Sequence, residues 1–390
     1  MLVFRIRAGR VALVGCGLFL FVLAILFLAA SKSRVGRILT TAAERVEEGE
    51  TLRDITAVRR ELEDIFKFRV QALVEGDTGG LEKFYDTSET TGRWALNHEI
   101  GRSRYVQGWL GKRDLEVAGK LLHLNIVDAG FKDDQHAWAS VAQHLILQYR
   151  PRNTGQAVVS EMGLRTIHWV ELVEKNNRWL IQKDWYWDPF ENESLTPDIA
   201  PRPAGGAETA RPPDPVTPDS SRGQYNREAA VRYAERYSGV RMGPGDGRYN
   251  PAYKDFTYEG GDCANFVSQV LTDKKAGGLP TDWNWFYSRG EGTAAWVQAE
   301  ALVHHLTGAG LAALVGRGDL EEVWEAVDLL QPGDVIGYEE DGEIVHVSVV
   351  VGRNAQGYVV VNSHTADRYH VPWDMGWERE HRYWLLHITY

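Results

Sequence analysis

The sequence predicts an α+β protein: an apolar N-terminal segment, then two soluble α+β regions separated by a proline-dense stretch. Three observations predict it. Residues 11–30 form a continuous uncharged run. Apolar residues recur every three or four positions between 52 and 73, and strand-like runs of alternating and β-branched residues follow. Seven of the chain's fourteen prolines (Pro197, Pro201, Pro203, Pro212, Pro213, Pro215 and Pro218) crowd into residues 191–222, where apolar bulk vanishes.

Residues 1–10 are a basic tail carrying Arg5, Arg7 and Arg10. The run 11–30 would span roughly 30 Å as a helix, the thickness of a bilayer's hydrocarbon core, and so predicts a transmembrane signal-anchor. Ala29-Ala30-Ser31 also offers a small-residue cleavage site, which would release a secreted form. Lys32, Arg34 and Arg37 nearly balance the arginines before the span. The long C-terminal remainder then favours a single-pass cell-membrane protein with its soluble part on the extracytoplasmic side. Residues 31–50 read as a juxtamembrane spacer.

Residues 51–190 form the first soluble region. Ile55, Val58, Leu62, Ile65, Phe66, Val70 and Leu73 mark one face of an amphipathic helix. Strands are expected over 121–129, 137–149, 162–174 and 178–187, the last two joined as a hairpin through Lys175-Asn176-Asn177. Helices followed by long antiparallel strands resemble the cone-shaped fold of nuclear transport factor 2 and its bacterial relatives. Residues 191–222 are a linker, and the second region occupies 223–390.

Composition narrows the function. A net charge of −11 argues against nucleic acid as a partner, since a phosphate backbone needs a basic surface. The chain has two cysteines, and Cys16 lies within the apolar run, so neither a disulfide nor a CxxC metal site with Cys263 is expected. His304-His305 lacks carboxylates at ligand spacing and reads as surface or core. No cofactor and no metal are implied.

Cys263 stands in GGDCANFVSQVL, at a loop-to-helix junction. There the positive end of a helix dipole favours thiolate over thiol, which makes it a candidate nucleophile rather than a buried small hydrophobe. Asp262 is open to two roles, helix cap or catalysis. Downstream, His346 heads an apolar strand in EIVHVSVVVG, and Asn362 and His364 stand two apart in VVVNSHTADR. A cysteine on a helix facing a strand histidine is the layout of papain-like thiol hydrolases. Asn362 or His364 could orient the His346 ring, with Asp367 more distant. Tyr258 and Asn250 are candidate second oxyanion donors. Trp283, Trp285, Phe286, Tyr287 and Trp296 form either a core satellite or an aromatic wall.

These residues resemble the putative amidase domain of bacterial cell-surface proteins, itself similar to the NlpC-like and CHAP branches of the papain-like superfamily. The resemblance rests on Tyr225-Asn226-Arg227, Gly260-Gly261-Asp262-Cys263, Asn265-Phe266, Ser268-Gln269, Gly333-Asp334, His346 and His364-Thr365-Ala366-Asp367, and it covers residues 224–390. It implies a papain-like α+β domain with the cysteine on a helix packed against an antiparallel sheet. Cys263 would be nucleophile, His346 base, and His364 or Asn362 the third member. The implied substrate is an amide bond in peptidoglycan peptide or another exposed peptide. Two alternatives are a non-catalytic binding or scaffolding module and a thiol acyltransferase.

Overall fold

The computed structural model describes residues 55–152, 158–190, 224–241, 248–377 and 381–390. The chain divides after Ile55, and Thr56–Tyr390 form one compact unit. All of the first unit except Ile55 lies outside the described residues.

The first helix, α1 (Thr56–Glu75), buries Val58, Leu62, Ile65, Phe66, Val70 and Leu73, the stripe read from the sequence. It packs with α2 (Thr90–Lys112) on one face of four antiparallel strands: β1 (Leu115–Phe131), β2 (His136–Pro151), β3 (Ser160–Lys175) and β4 (Arg178–Trp185). The β3–β4 turn places Asn176 and Asn177 at φ 52° and 61°, the left-handed region asparagine tolerates best after glycine. Under the helices Arg69 pairs with both Glu99 and Asp184, so each of these buried charges has an opposite charge in contact.

After residue 224 come α3 (Arg227–Arg236) and α4 (Cys263–Thr272), a short hairpin of β5 (Tyr287–Ser288) and β6 (Glu291–Gly292), and the helices α5 (Ala294–Val297) and α6 (Ala299–Gly308). Strand β7 (Ala312–Gly318) and α7 (Leu320–Val323) precede the antiparallel run β8 (Val335–Glu340), β9 (Glu343–Arg353), β10 (Val359–Ser363), β11 (Asp367–Pro372) and β12 (Arg382–Ile388). Asn226 caps α3, its side chain accepting from the Ala229 N–H at 3.0 Å.

Strand order is β1-β2-β3-β11-β10-β9-β8-β12-β7, with β4 also on β3. Asp367, Arg368 and Tyr369 of β11 pair with Arg165, Leu164 and Gly163 of β3, so one ten-stranded sheet runs through both regions. The expected fold class is corrected by this: the described residues do not form a cone-like domain and a papain-like domain each with its own sheet. The physical cause is the edge of β3, which β4 covers over 169–175 while β11 takes 163–165. The core follows the sheet, with Val371 and Met375 packed among Tyr105, Trp109, Leu147 and Met162. Across the same seam Arg113 pairs with Asp374, and Arg368 donates to the Pro189 carbonyl at 2.6 Å.

Among the described residues no helix is long and apolar enough to cross a membrane. The single-pass placement and its membrane contact are therefore withdrawn. The segment 11–30 on which they rested, and the linker 191–222, lie outside the described residues.

Candidate active site

Strand β9 separates two faces. Val347, Val349 and Val351 join Cys263, Phe266 and Val267 in one buried cluster, while Val350 joins Ile336, Tyr338, Val361 and Trp373 in another. Alternation along a strand puts successive side chains on opposite faces, so α4 covers the face that carries Val347 and Val349.

Cys263 is the first residue of α4 and is buried. Burial pushes its thiol up to about 11, against the opposing pull of the backbone N–H groups of Val347, Ala264 and Cys263 itself. The preceding Gly260 and Gly261 hold φ of 116° and 117°, conformations that L side chains rarely adopt, and they bring the chain into the helix start.

His364 lies on the α4 side. Its Nδ1 stands 2.6 Å from Asp262 Oδ2 and its Nε2 2.6 Å from the Tyr237 carbonyl oxygen. The ring is sandwiched between Phe266 at 3.9 Å and Tyr249 at 3.7 Å, both near parallel. Asp262 makes no capping bond to α4. Its other oxygen accepts the Phe256 N–H and the Asn265 amide, each at 2.8 Å, and its own N–H donates to Thr365 Oγ1 at 2.6 Å. The Asp262 carboxylate is thus engaged with the His364 ring and not with the helix N-terminus.

The ring of His346 takes the opposite face, stacking on Trp377 at 5.2 Å and neighbouring Tyr338 at 5.8 Å. A β-bulge pairs Tyr338 with His346 and Glu339 with Ile344, leaving Val345 out of register. Burial first, then the nearby positive charges of Arg368 and His381, lower the imidazole to about 3, and its Nε2 is buried with no hydrogen-bond partner among the described residues. The structure thus brings Cys263, Asp262 and His364 to one face and sends His346 to the other.

Asn362 shares the face of His364, as period two requires, but its amide is engaged elsewhere. Its Nδ2 donates to the Ala234 carbonyl at 3.1 Å and its Oδ1 accepts the His370 N–H at 2.8 Å, tying α3 to β10 and β11. Asn250 donates to the Tyr233 hydroxyl at 2.8 Å, and Tyr258 is exposed. The aromatic cluster divides. Trp285 and Trp296 are buried and donate to Ser268 Oγ and Asn265 Oδ1 of α4, whereas Trp283 is 87% exposed.

Sequence reasoning missed Tyr249 and Arg165. Arg165 Nη1 donates to Asp367 Oδ2 at 3.1 Å, and the Tyr249 hydroxyl donates to Asp367 Oδ1 at 2.7 Å. Arg165 comes from β3, outside the family resemblance, and no local pattern singles it out.

Comparison with known proteins places this geometry in a context. Residues 224–386 match the family model described as "Putative amidase domain". The uncharacterized protein YhbB of Bacillus subtilis (strain 168) is 33% identical over 154 residues, which are 37% of this chain and 42% of that protein. The chain therefore spans less than half the length of the curated relative it matches. Among solved structures, the intermembrane space region of chloroplast protein ARC6 gives a TM-score of 0.26 at 11% identity, covering 35% of this chain and 98% of that one. A scytalone dehydratase homologue from Novosphingobium aromaticivorans DSM 12444 gives 0.23 at 13% identity, covering 33% of this chain and 81% of that one. At these scores neither bears on the fold.

Proposed function

Taking as premise that residues 224–386 match the putative amidase domain, we propose that this protein is a cysteine amidase that hydrolyses peptide amide bonds. Stem peptides of peptidoglycan are the first substrate class to assay. The observation that carries this reading is the position of Cys263 at the start of α4 beside the Asp262–His364 pair, on one face of the sheet.

In the proposed reaction the Cys263 sulfur attacks the amide carbonyl carbon while its proton passes to His364. Asp262 holds the ring through Nδ1, and Nε2, which donates to the Tyr237 carbonyl, must release that proton to solvent and turn from the carbonyl before it can take the proton of the thiol. The substrate oxygen gains negative charge near the start of α4, where the first-turn N–H groups have no intrahelical acceptor. On collapse the C–N bond breaks and the amine leaves with the proton from His364. Water then adds to the thioester, and the cysteine is regenerated with the carboxylic acid. The thiol is pushed up to about 11 and Nε2 faces the Tyr237 carbonyl, so the thiol–imidazole contact forms only once Nε2 turns away from that carbonyl.

The test is amine release from purified stem peptides, followed by mass spectrometry. Cys263→Ala should abolish release while the circular dichroism stays native; a variant that keeps substantial turnover sinks the assignment. His364→Ala and His346→Phe assign the base. Loss in the first and retention in the second is expected, and the reverse ranking transfers the role to His346. Adding a free amine and looking for its acylated product separates hydrolysis from acyl transfer.

A further inference from the structure

We propose that Arg165, on strand β3 of the N-terminal region, is a positioning residue for the candidate active site, acting on His364 through Asp367 and Tyr249. The inference rests on the amidase reading and extends the site beyond the segment that matches the family.

Each link is a close contact between buried groups. Arg165 and Asp367 are direct partners in the β3–β11 register, and their side chains are 6% and 3% exposed. The guanidinium holds one carboxylate oxygen at 3.1 Å, and the other accepts the Tyr249 hydroxyl at 2.7 Å. Asp367 is thus a bridge with both oxygens committed. Burial first, then Asp367, raises Tyr249 well above the ordinary tyrosine range, so its hydroxyl stays a donor at any pH an assay would use. The same ring lies parallel to His364 at 14° and 3.7 Å, and Phe266 closes the other side.

Gly239 marks how tightly this bridge is built. It stands at φ 80°, and a Cβ there would fall 2.5 Å from Asp367 Oδ2 and 2.9 Å from Tyr249 Cε1. Only glycine leaves room for carboxylate and phenol together. His144 of β2 reaches over as well, its Nδ1 lying 2.9 Å from the Val240 carbonyl oxygen, so the segment beside Gly239 is also held from the N-terminal region.

The consequence for catalysis follows from what each contact fixes. Asp262 sets the direction of the His364 ring within its plane, and the Phe266–Tyr249 sandwich sets the plane. Without the guanidinium, Asp367 is a buried carboxylate lacking its cation, which is costly, and it no longer anchors Tyr249 from a fixed position. The plane of His364 loosens, and small misplacements of a proton-transferring group lower turnover steeply without altering how substrate binds.

The experiment uses the full chain and compares Arg165→Met, Arg165→Lys and Tyr249→Phe, with Cys263→Ala as the inactive reference. Arg165→Met should lower kcat about tenfold or more with KM unchanged within about twofold. Arg165→Lys, which keeps a cation at the carboxylate, should recover most of that loss, and Tyr249→Phe should reproduce it in part. A second readout is independent of turnover: the imidazole carbon–proton NMR signals of His364 should shift or broaden in Arg165→Met and return in Arg165→Lys. Native kcat in Arg165→Met beside an inactive Cys263→Ala overturns the proposal and leaves the amidase reading standing. Unchanged His364 signals in a folded Arg165→Met protein overturn it even if no amide substrate is found. Should Arg165→Met not fold, full kcat and unshifted His364 signals in Tyr249→Phe overturn it equally.

Discussion

His346 makes the sharpest physical prediction. In the unfolded chain an imidazole titrates near 6.5, and in the folded protein it is held at about 3. The folded state therefore refuses a proton that the unfolded state accepts between those two values. Stability from this source is complete above about pH 6.5 and is lost as pH falls toward 3. Each pH unit below 6.5 costs about 1.4 kcal/mol, so at pH 4.5 the loss is on the order of 3 kcal/mol. That is a large share of a typical folding free energy of about 5–15 kcal/mol. His346→Phe keeps a flat ring against Trp377 and Tyr338 but cannot titrate. Urea unfolding at pH 7.0 and pH 4.5, followed by tryptophan fluorescence, gives the loss for each protein. Carboxylates and other histidines contribute alike to both, so the difference of differences isolates His346. We expect wild type to lose on the order of 3 kcal/mol more than His346→Phe over that interval. Equal losses would refute the placement of this ring in a dry pocket beside Arg368, and with it the assignment of His346 to the far face.

Two further predictions concern the thiol and the seam between the halves. With Cys263 pushed up to about 11, alkylation by iodoacetamide should be slow at pH 7 and rise about tenfold per pH unit until near 11; a plateau by pH 9 contradicts this. Asp374→Ala removes the carboxylate that pairs with Arg113, both side chains being at most 2% exposed. Breaking such a pair should cost about 3–5 kcal/mol, measured by urea unfolding, and a loss below about 1 kcal/mol would show the pair to be dispensable.

Much of the local structure was legible because local spacing determines it. The 3.6 period of Val58, Leu62, Ile65 and Phe66 gives α1, and the Asn176-Asn177 turn gives the β3–β4 hairpin. The side chosen by His346 was readable in part. His346 and Ser348 alternate with Val347, Val349 and Val351, and a valine row is what a helix packs against. The choice of His346 rested on its place at the head of an apolar strand and did not use that alternation. The bulge at Val345, which fixes the register, depends on pairing with β8 and has no mark in a single strand. Asp262 could not be separated from a helix cap, because a residue before a helix suits both roles until its partner is seen. The β3–β11 pairing and the Arg165–Asp367 contact join residues about two hundred positions apart, and alternation within either strand says nothing about its neighbour.

The shared edge of β3 also bears on how the protein can be handled. Were residues 224–390 produced alone, β11 would end the sheet with its outward N–H and C=O groups unpaired over 367–369, opposite nothing but solvent. A bare edge of this kind is a template for strand addition from another molecule. Val371 and Met375 would lose the apolar neighbours that now cover them. An excised second half is thus a candidate for edge-to-edge association, and a turnover number measured on it would describe an assembly that the intact chain forestalls by pairing with itself.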